Sequence, residues 1–297
     1  MKESKQSVSR IANIYGNHGL LIDSNNQTHK FMLKNSKTKL YVGDCIETNE
    51  IIDEVTLIDK PKERINVVER FDKLGKKQIV AANVTQLLIV IAPEPQPNFL
   101  LLDKLLLVSE LMKNQAAIIY NKNDLGHLTD NRILKYKKLG YKLINMSAKS
   151  NNNFEQFYKQ LMNQTSFLVG QSGVGKSTIT NMLLNNQELK TKTLSSKTKK
   201  GRHTTSTTSL YQINSESFLI DTPGVENLHP AIENAQDIQL GFKEMKLHIG
   251  KCKYRDCIHI SEPLCSVKDH LSKKEIEPSR YENYKKLVVD YKKTSNP

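Results

Sequence analysis

The sequence predicts an α/β protein made of a small N-terminal β-barrel, a parallel sheet covered by helices on both faces, and a short metal-binding C-terminal unit. Three observations carry this prediction. Short strand patterns broken by turn residues fill the first 60 or so residues; apolar runs alternate with helical segments from Val84 onward; and three cysteines and a histidine crowd between Cys252 and Cys265.

The first strands read as Val8 to Tyr15, Gly19 to Asp23, Lys30 to Lys34, Lys39 to Val42 with Cys45 to Thr48, and Ile51 to Ile58. Gly16-Asn17, Asn25-Asn26 and Gly43-Asp44 supply the turns between them. Strand count fits an OB-fold or an SH3-like barrel, with the OB-fold favoured. Pro61 to Gln78 is charged with little apolar periodicity and reads as a linker or rim. Beyond it, strands at Gln86 to Ile91, Ala116 to Tyr120, Lys142 to Met146, Phe167 to Val169, Ser209 to Ile213 and Phe218 to Ile220 alternate with helices at Phe99 to Met112, Asp130 to Leu139, Asn153 to Met162 and after Lys176. That alternation implies a parallel sheet buried on both faces. Pro93 to Pro97 reads as a rigid loop over it. The alternation stops near Ala235. A last helix is expected to open on Ser279 and Glu282 in capping-box spacing, with Tyr281, Tyr284, Leu287, Val288 and Tyr291 as a packing face.

A chain of 297 residues with 38% hydrophobic content is not wholly disordered. No apolar run approaches the roughly 20 residues of a membrane span, and Met1 to Arg10 lacks the apolar core of a signal peptide, so a cytoplasmic protein with no membrane partner is expected. A monomer is the simplest expectation. Four cysteines do not make a disulfide scaffold. The net charge of +13 points to a polyanion.

Gly170-Gln171-Ser172-Gly173-Val174-Gly175-Lys176-Ser177, continued by Thr178, follows an apolar strand and opens a helix. Such glycines let backbone N–H groups curl around phosphates, while Lys176 reaches the terminal phosphates and the Ser177 hydroxyl can ligate Mg²⁺. The base is chosen elsewhere. Asn121-Lys122-Asn123-Asp124 ends the strand Ala116 to Tyr120, where the Asp124 carboxylate can accept from N1–H and the 2-amino group of guanine, a pairing adenine does not offer. Lys122 would cover the base and Asn121 would brace the phosphate loop. Ser147-Ala148-Lys149 ends the next strand, with the Ala148 N–H toward the guanine 6-oxygen. Asp221-Thr222-Pro223-Gly224 follows Phe218 to Ile220; its Asp can hold Mg²⁺ through water and the Gly224 N–H can face a γ-phosphate. Between lies Arg202-His203-Thr204-Thr205, a switch-type loop in which either threonine can ligate Mg²⁺, with Thr205 the assigned ligand. The base-reading elements precede the phosphate loop, so the GTP/GDP-binding domain reads as circularly permuted.

Cys252, Cys257, His259 and Cys265 form C-x₄-C-x-H-x₅-C, four protein ligands for a closed structural Zn²⁺ site with no position for a catalytic water. Cys45 stands apart and reads as core.

The sequence resembles the RsgA (YjeQ) family, circularly permuted GTPases that act in assembly of the small ribosomal subunit. The residues that carry the resemblance are Ala81 to Val84, Asn121 to Asp124, Gly170 to Ser177, Gly201 to Thr205, Asp221 to Gly224, Cys252 to His259, Glu262-Pro263 and Arg280 to Tyr284. It implies an OB-fold RNA-binding domain at 1–72, a permuted GTPase domain at 73–235 and a zinc-binding domain with a C-terminal helix at 236–297. It further implies weak GTP hydrolysis stimulated by the small subunit and its rRNA. Thr85 stands where the family has Asp, Leu264 where it has Gly, and Ser206 interrupts a threonine run.

Val225 occupies the position where many GTPases place a water-directing Gln. His203 is therefore read as the catalytic director of the attacking water beside Lys176, with Arg202 as its rival for the main role. A GTPase acting on another RNA, such as tRNA, is the alternative function. The charge is uneven: residues 76–165 carry a net +6 and 240–297 a net +5, whereas 1–75 and 166–239 carry +1 each. Two local patches stand out, Lys30, Lys34, Lys37 and Lys39 on the barrel, and Lys190, Lys192, Lys197, Lys199, Lys200 and Arg202 leading into His203.

Overall fold

Alternation of buried and exposed side chains folds the N-terminal segment into β1 (Val8–Tyr15), β2 (His18–Ile22), β3 (Thr28–Leu33), β4 (Cys45–Glu47), β5 (Ile51–Ile52) and β6 (Val55–Ile58), one sheet in the order β4-β1-β2-β3-β6-β5. The computed structural model describes residues 8–47, 51–52, 54–71, 76–126, 130–191, 207–222, 226 and 228–295. The sheet closes over Ile11, Leu21, Phe31, Leu40, Ile46 and Ile58. A bulge between Ile11 and Asn13 bends β1, and the lack of a side chain at Gly19 matters there, since a Cβ would lie 2.1 Å from the Asn13 carbonyl oxygen. Two expectations need correcting. Lys39 to Val42 is no strand, because the buried Asp44 carboxylate takes the Tyr41 N–H at 2.8 Å and Asp44 N–H returns to the Tyr41 carbonyl, closing a turn. Ile51 to Ile58 is an antiparallel hairpin, β5 against β6, turning next to Glu54 at φ 65°.

The segment expected to be a linker is also structured. β7 (Val67–Phe71) and β8 (Lys77–Ala82) pair as an antiparallel ribbon. Val68 and Val80 to Ala82 face inward while Arg70 and Gln78 bond across its outer side at 3.0 Å, so its charges decorate a strand instead of excluding one.

The second sheet contains β9 (Gln86–Ile91), β10 (Gln115–Tyr120), β11 (Lys142–Asn145), β12 (Thr165–Gly170), β13 (Ser209–Asn214) and β14 (Ser217–Asp221) in the order β11-β10-β9-β12-β14-β13. All neighbours are parallel except the hairpin β13–β14. Its helices are α1 (Phe99–Leu111), α2 (Asn131–Lys138), α3 (Phe154–Leu161) and α4 (Lys176–Thr191). Leu87, Ile89 and Ile91 of β9 point to one core with Leu102, Leu105 and Ile133, whereas Leu88 and Val90 point to the other with Phe157, Leu161 and Ile179. Burial on both sides explains why β9 is apolar after Gln86 without alternation.

The C-terminal unit holds α5 (Lys243–Lys246), α6 (Ser266–Ser272) and α7 (Pro278–Ser295). The expected capping box at Ser279 and Glu282 is absent. The helix starts on Pro278, whose missing N–H suits a first turn, and Ser279 Oγ donates instead to Glu277 Oε1 at 3.3 Å. A capping box forms between Asn234 and Asp237, opening the 3-10 turns of Ala235–Gly241. Among the described residues, no helix is long and apolar enough to cross a membrane.

α7 is tied to α1 and α5 by Arg280, 2% exposed. Its guanidinium donates to Asp103 Oδ1 on α1 and, through Nε at 2.5 Å and Nη2 at 3.2 Å, to both oxygens of Glu244 on α5. Asn283 Nδ2 and Tyr136 OH complete the Asp103 shell at 2.7 and 2.8 Å. Arg280→Met would leave two buried carboxylates without their cation, and should cost about 3–5 kcal/mol of unfolding free energy in denaturant titrations. A loss below about 1 kcal/mol would contradict this account.

Candidate nucleotide and metal sites

The C-terminal ends of β10, β11, β12 and β14 place the sequence-predicted residues around one cleft. Gly170 ends β12 at φ 148°, with its Cα so close to β9 that a Cβ would lie 2.2 Å from the Val90 carbonyl oxygen. Gly175, at φ 95°, faces Asn121 Nδ2 in the same way at 2.4 Å. Side chains then tie up the loop's carbonyls. Asn121 Nδ2 donates to Val174 O at 2.9 Å, and Lys122 Nζ to Gly173 O at 2.7 Å and Glu94 O at 2.8 Å. Lys176 Nζ donates to Gly170 O at 2.6 Å and Gln171 O at 2.9 Å, and burial pushes its ammonium pKa down. With the carbonyls held on these donors, the loop's geometry suits N–H groups turned to an anion at the N-terminus of α4. Ser172, Ser177 and Thr178 are exposed at its mouth.

At the base-reading end, Asp124 is exposed in the turn Asn123–Leu125. Ser147 Oγ donates to Asp124 Oδ1 at 2.5 Å; this bond, with Lys149 and Lys122 nearby, holds the carboxyl below its ordinary range. The Ala148 N–H, expected to face a base, donates to Asn121 Oδ1 at 3.0 Å. Asn121 thus spans the phosphate loop and the Ser147-Ala148-Lys149 segment, and Ala148 serves that brace.

At the opposite end, burial pushes the Asp221 carboxyl up, and a hydrogen bond from Thr180 Oγ1 at 2.9 Å pulls it back. Sequence reasoning missed Thr180; its one signal is its place one helical turn after Lys176. Arg202, His203, Thr204, Thr205 and Gly224 lie outside the described residues, as do Lys192, Lys197, Lys199 and Lys200 and the side chain of Lys190.

In the C-terminal unit, the ligand atoms of Cys252, Cys257, His259 and Cys265 lie within 4.8 Å of one another. His259 Nδ1 is 3.5, 3.3 and 3.3 Å from the sulfurs of Cys252, Cys257 and Cys265, and the Cys252 and Cys265 sulfurs are 3.8 Å apart. A tetrahedron with bonds of about 2.3 Å to sulfur and 2.0 Å to nitrogen has edges of about 3.5–3.8 Å, so the donors fit Zn²⁺. His259 Nε2 meets Gln239 Oε1 at 2.7 Å, which fixes the proton there and turns Nδ1 to the sulfurs. Burial pushes the Cys257 and Cys265 thiols up, so a divalent cation held here would supply the positive charge that makes their thiolates tenable. Glu262 clamps the loop through the N–H groups of Ile258 and Ile260 at 2.8 and 2.9 Å, and Tyr281 and Tyr284 donate to the His259 and Ile258 carbonyls at 2.6 and 2.8 Å. The tyrosine stripe therefore both packs and holds the metal loop.

A glycine-rich loop at the end of β12, preceded in the chain by the Asn121 to Asp124 and Ser147 to Lys149 segments that follow β10 and β11, defines the class of circularly permuted P-loop proteins. A sequence model of the RsgA GTPase family matches residues 61–230. The small ribosomal subunit biogenesis GTPase RsgA of Hahella chejuensis is 35% identical over 253 residues, covering 84% of this chain and 73% of the relative. That of Nitrosospira multiformis is 32% identical over 278 residues, covering 93% and 88%. The crystal structure of YjeQ from Thermotoga maritima superposes with a TM-score of 0.72 at 26% identity, covering 96% of this chain and 98% of that one. YloQ, described as a circularly permuted GTPase, gives 0.74 at 22% identity with 99% and 98% covered, a likeness of fold. The chain belongs to the RsgA GTPase family.

Leu264 sits at φ 52° with 71% of its surface exposed. A left-handed conformation costs an L-residue roughly 1–2 kcal/mol, and glycine gives back about 0.5–1 kcal/mol through its freer unfolded chain. Leu264→Gly should therefore raise the stability of the zinc-loaded protein by about 0.5–1 kcal/mol in thermal unfolding. A fall would show that the leucine side chain contributes packing its exposure does not reveal.

Proposed function

We propose that this chain binds GTP across the C-terminal strand ends of its second sheet, hydrolyses it to GDP and phosphate with Mg²⁺, and assists maturation of the small ribosomal subunit. The observation that carries the reading is the Asp124 carboxylate, aimed by Ser147 and joined through Asn121 to the phosphate loop. Asp124 accepts from the guanine N1–H and 2-amino group, Lys122 covers the base, and Ser147, Ala148 and Lys149 line the pocket from the next strand. Gly170 to Thr178 cradle the phosphates, and Lys176 exchanges its carbonyl partners for the terminal phosphates. Ser177 and Thr205 are the Mg²⁺ ligands, with Asp221 behind them and the Gly224 N–H at the γ-phosphate. When bound, the cation neutralises charge on the transferring phosphates. His203 orients the attacking water. Zn²⁺ occupies the Cys₃His centre as a structural ion.

The relatives, small ribosomal subunit biogenesis GTPases by name, support the small subunit as partner, and the charge of +13 suits rRNA. The chain acts in the cytoplasm as a monomer on this reading.

GTP turnover measured with and without purified small subunits tests the proposal; stimulation is expected, and equal rates would refute it. His203→Ala should keep GTP affinity and lose the stimulated rate, and unchanged stimulated turnover would remove His203 from the mechanism. Asp124→Asn substitutes a donor for one acceptor and should weaken GTP binding by about 10⁴-fold while admitting xanthosine triphosphate, whose 2-oxo group accepts that donor. Equal affinity of the variant for GTP in equilibrium titrations would sink the guanine reading.

A further inference from the structure

Thr180 lies on α4 beneath the cleft, 4% exposed, and so is Asp221 at the end of β14. Its hydroxyl is 2.9 Å from Asp221 Oδ2 and 3.3 Å from the Lys176 carbonyl one turn earlier. A hydroxyl has one proton to give, and the shorter, charge-assisted contact takes it. The same helix carries Lys176 and Ser177, so the group that meets Asp221 is rigidly linked to the groups assigned to the phosphates and cation. Burial of the carboxylate raises the cost of its charge, and Thr180 supplies a donor that offsets it without adding charge near the nucleotide.

We infer that Thr180 is a positioning residue for the cation site, holding the Asp221 carboxylate in one orientation toward the magnesium–nucleotide complex. The inference rests on the proposed GTP and Mg²⁺ binding and assigns Thr180 no contact with either. A purely structural role is the competing account, since a buried helical threonine also bonds its own helix and fills space.

The substitutions Thr180→Ser, Thr180→Val and Thr180→Ala separate donor from shape. The readouts are GDP dissociation followed with a fluorescent GDP analogue across a Mg²⁺ titration, and Mn²⁺ binding to the GDP complex by electron paramagnetic resonance. Loss of a hydrogen bond to a charged group predicts that the Val and Ala variants need about tenfold more Mg²⁺ to retain GDP and bind Mn²⁺ correspondingly weakly, while Ser matches the native chain. GDP affinity in EDTA should stay within about twofold in all three, because Asp221 acts there on no cation. This measurement also reports folding; if Val disturbs the core, Ala decides the question. A native-like Mg²⁺ requirement in Ala, or a shift in Ala and Ser but not Val, overturns the inference. Failure of the native chain to bind GDP in EDTA refutes the nucleotide reading instead, and native GDP retention indifferent to Mg²⁺ overturns the cation site and Thr180's role in it.

Discussion

The buried guanidinium of Arg280 meets Asp103, Glu244, Tyr136 and Phe242 at one point, and these residues come from α1, α5, α2 and the segment that leads into α5. Two carboxylates and one guanidinium in a dry site are tolerable only when their hydrogen bonds are met, and here Asn283 and Tyr136 supply the donors Arg280 does not. The consequence is positional. Asp103 packs on the helix that covers β9 and β10, so the C-terminal unit is anchored directly to the layer that supports Asn121 and Asp124. Gly241 allows this approach, since a Cβ there would meet Leu107 of α1 at 2.5 Å.

The same device, a polar side chain satisfying backbone groups of another segment, assembles the rest of the molecule. Asn83, at φ 55° just after β8, accepts from Ile65 N–H at 2.9 Å and donates to Gly43 O at 3.1 Å, joining the barrel's turn to the ribbon. Asn121 joins the phosphate loop to Ala148, and Glu262 with two tyrosines joins the metal loop to α7. In each case side-chain hydrogen bonds fix a loop that carries little apolar surface of its own, so its shape follows from those bonds more than from a core.

Much of this was legible from the sequence because it depends on local periodicity and motif spacing. The second sheet's strands are legible to within two residues at their ends, and the four candidate metal ligands stand together in the chain. The errors share a cause. Lys39 to Val42 has strand composition, but Asp44 competes for its N–H groups; Ser279 and Glu282 have capping spacing, but Pro278 already fills the first helical position. The charged ribbon β7–β8 escaped notice because a two-stranded element with one covered face needs few apolar residues. The bonds from Ser147 to Asp124, Thr180 to Asp221 and Gln239 to His259 are invisible in the sequence because each links residues 20 or more positions apart, and Thr180 and Gln239 belong to no motif.

The edges of the nucleotide cleft are set by contacts from outside the sheet. β13 is its edge strand, and the barrel covers it: Asn13 Nδ2 donates to Ser209 Oγ at 2.8 Å, while Arg10 lies over the Phe218 ring at 4.5 Å and donates to Thr165 Oγ1 at 3.2 Å. Beyond β14, the chain is caught by the ribbon, where Leu228 bridges to Arg70 and the His229 N–H donates to Glu69 O at 2.8 Å. Ser209 follows the Arg202 to Thr205 segment in the chain, and Leu228 follows Asp221 to Gly224. The barrel and its ribbon therefore hold the downstream ends of both segments that the sequence assigns to the γ-phosphate and the cation. Permutation puts β10 and β11 between the barrel and the phosphate loop in sequence, while the barrel lies beside β13 in space.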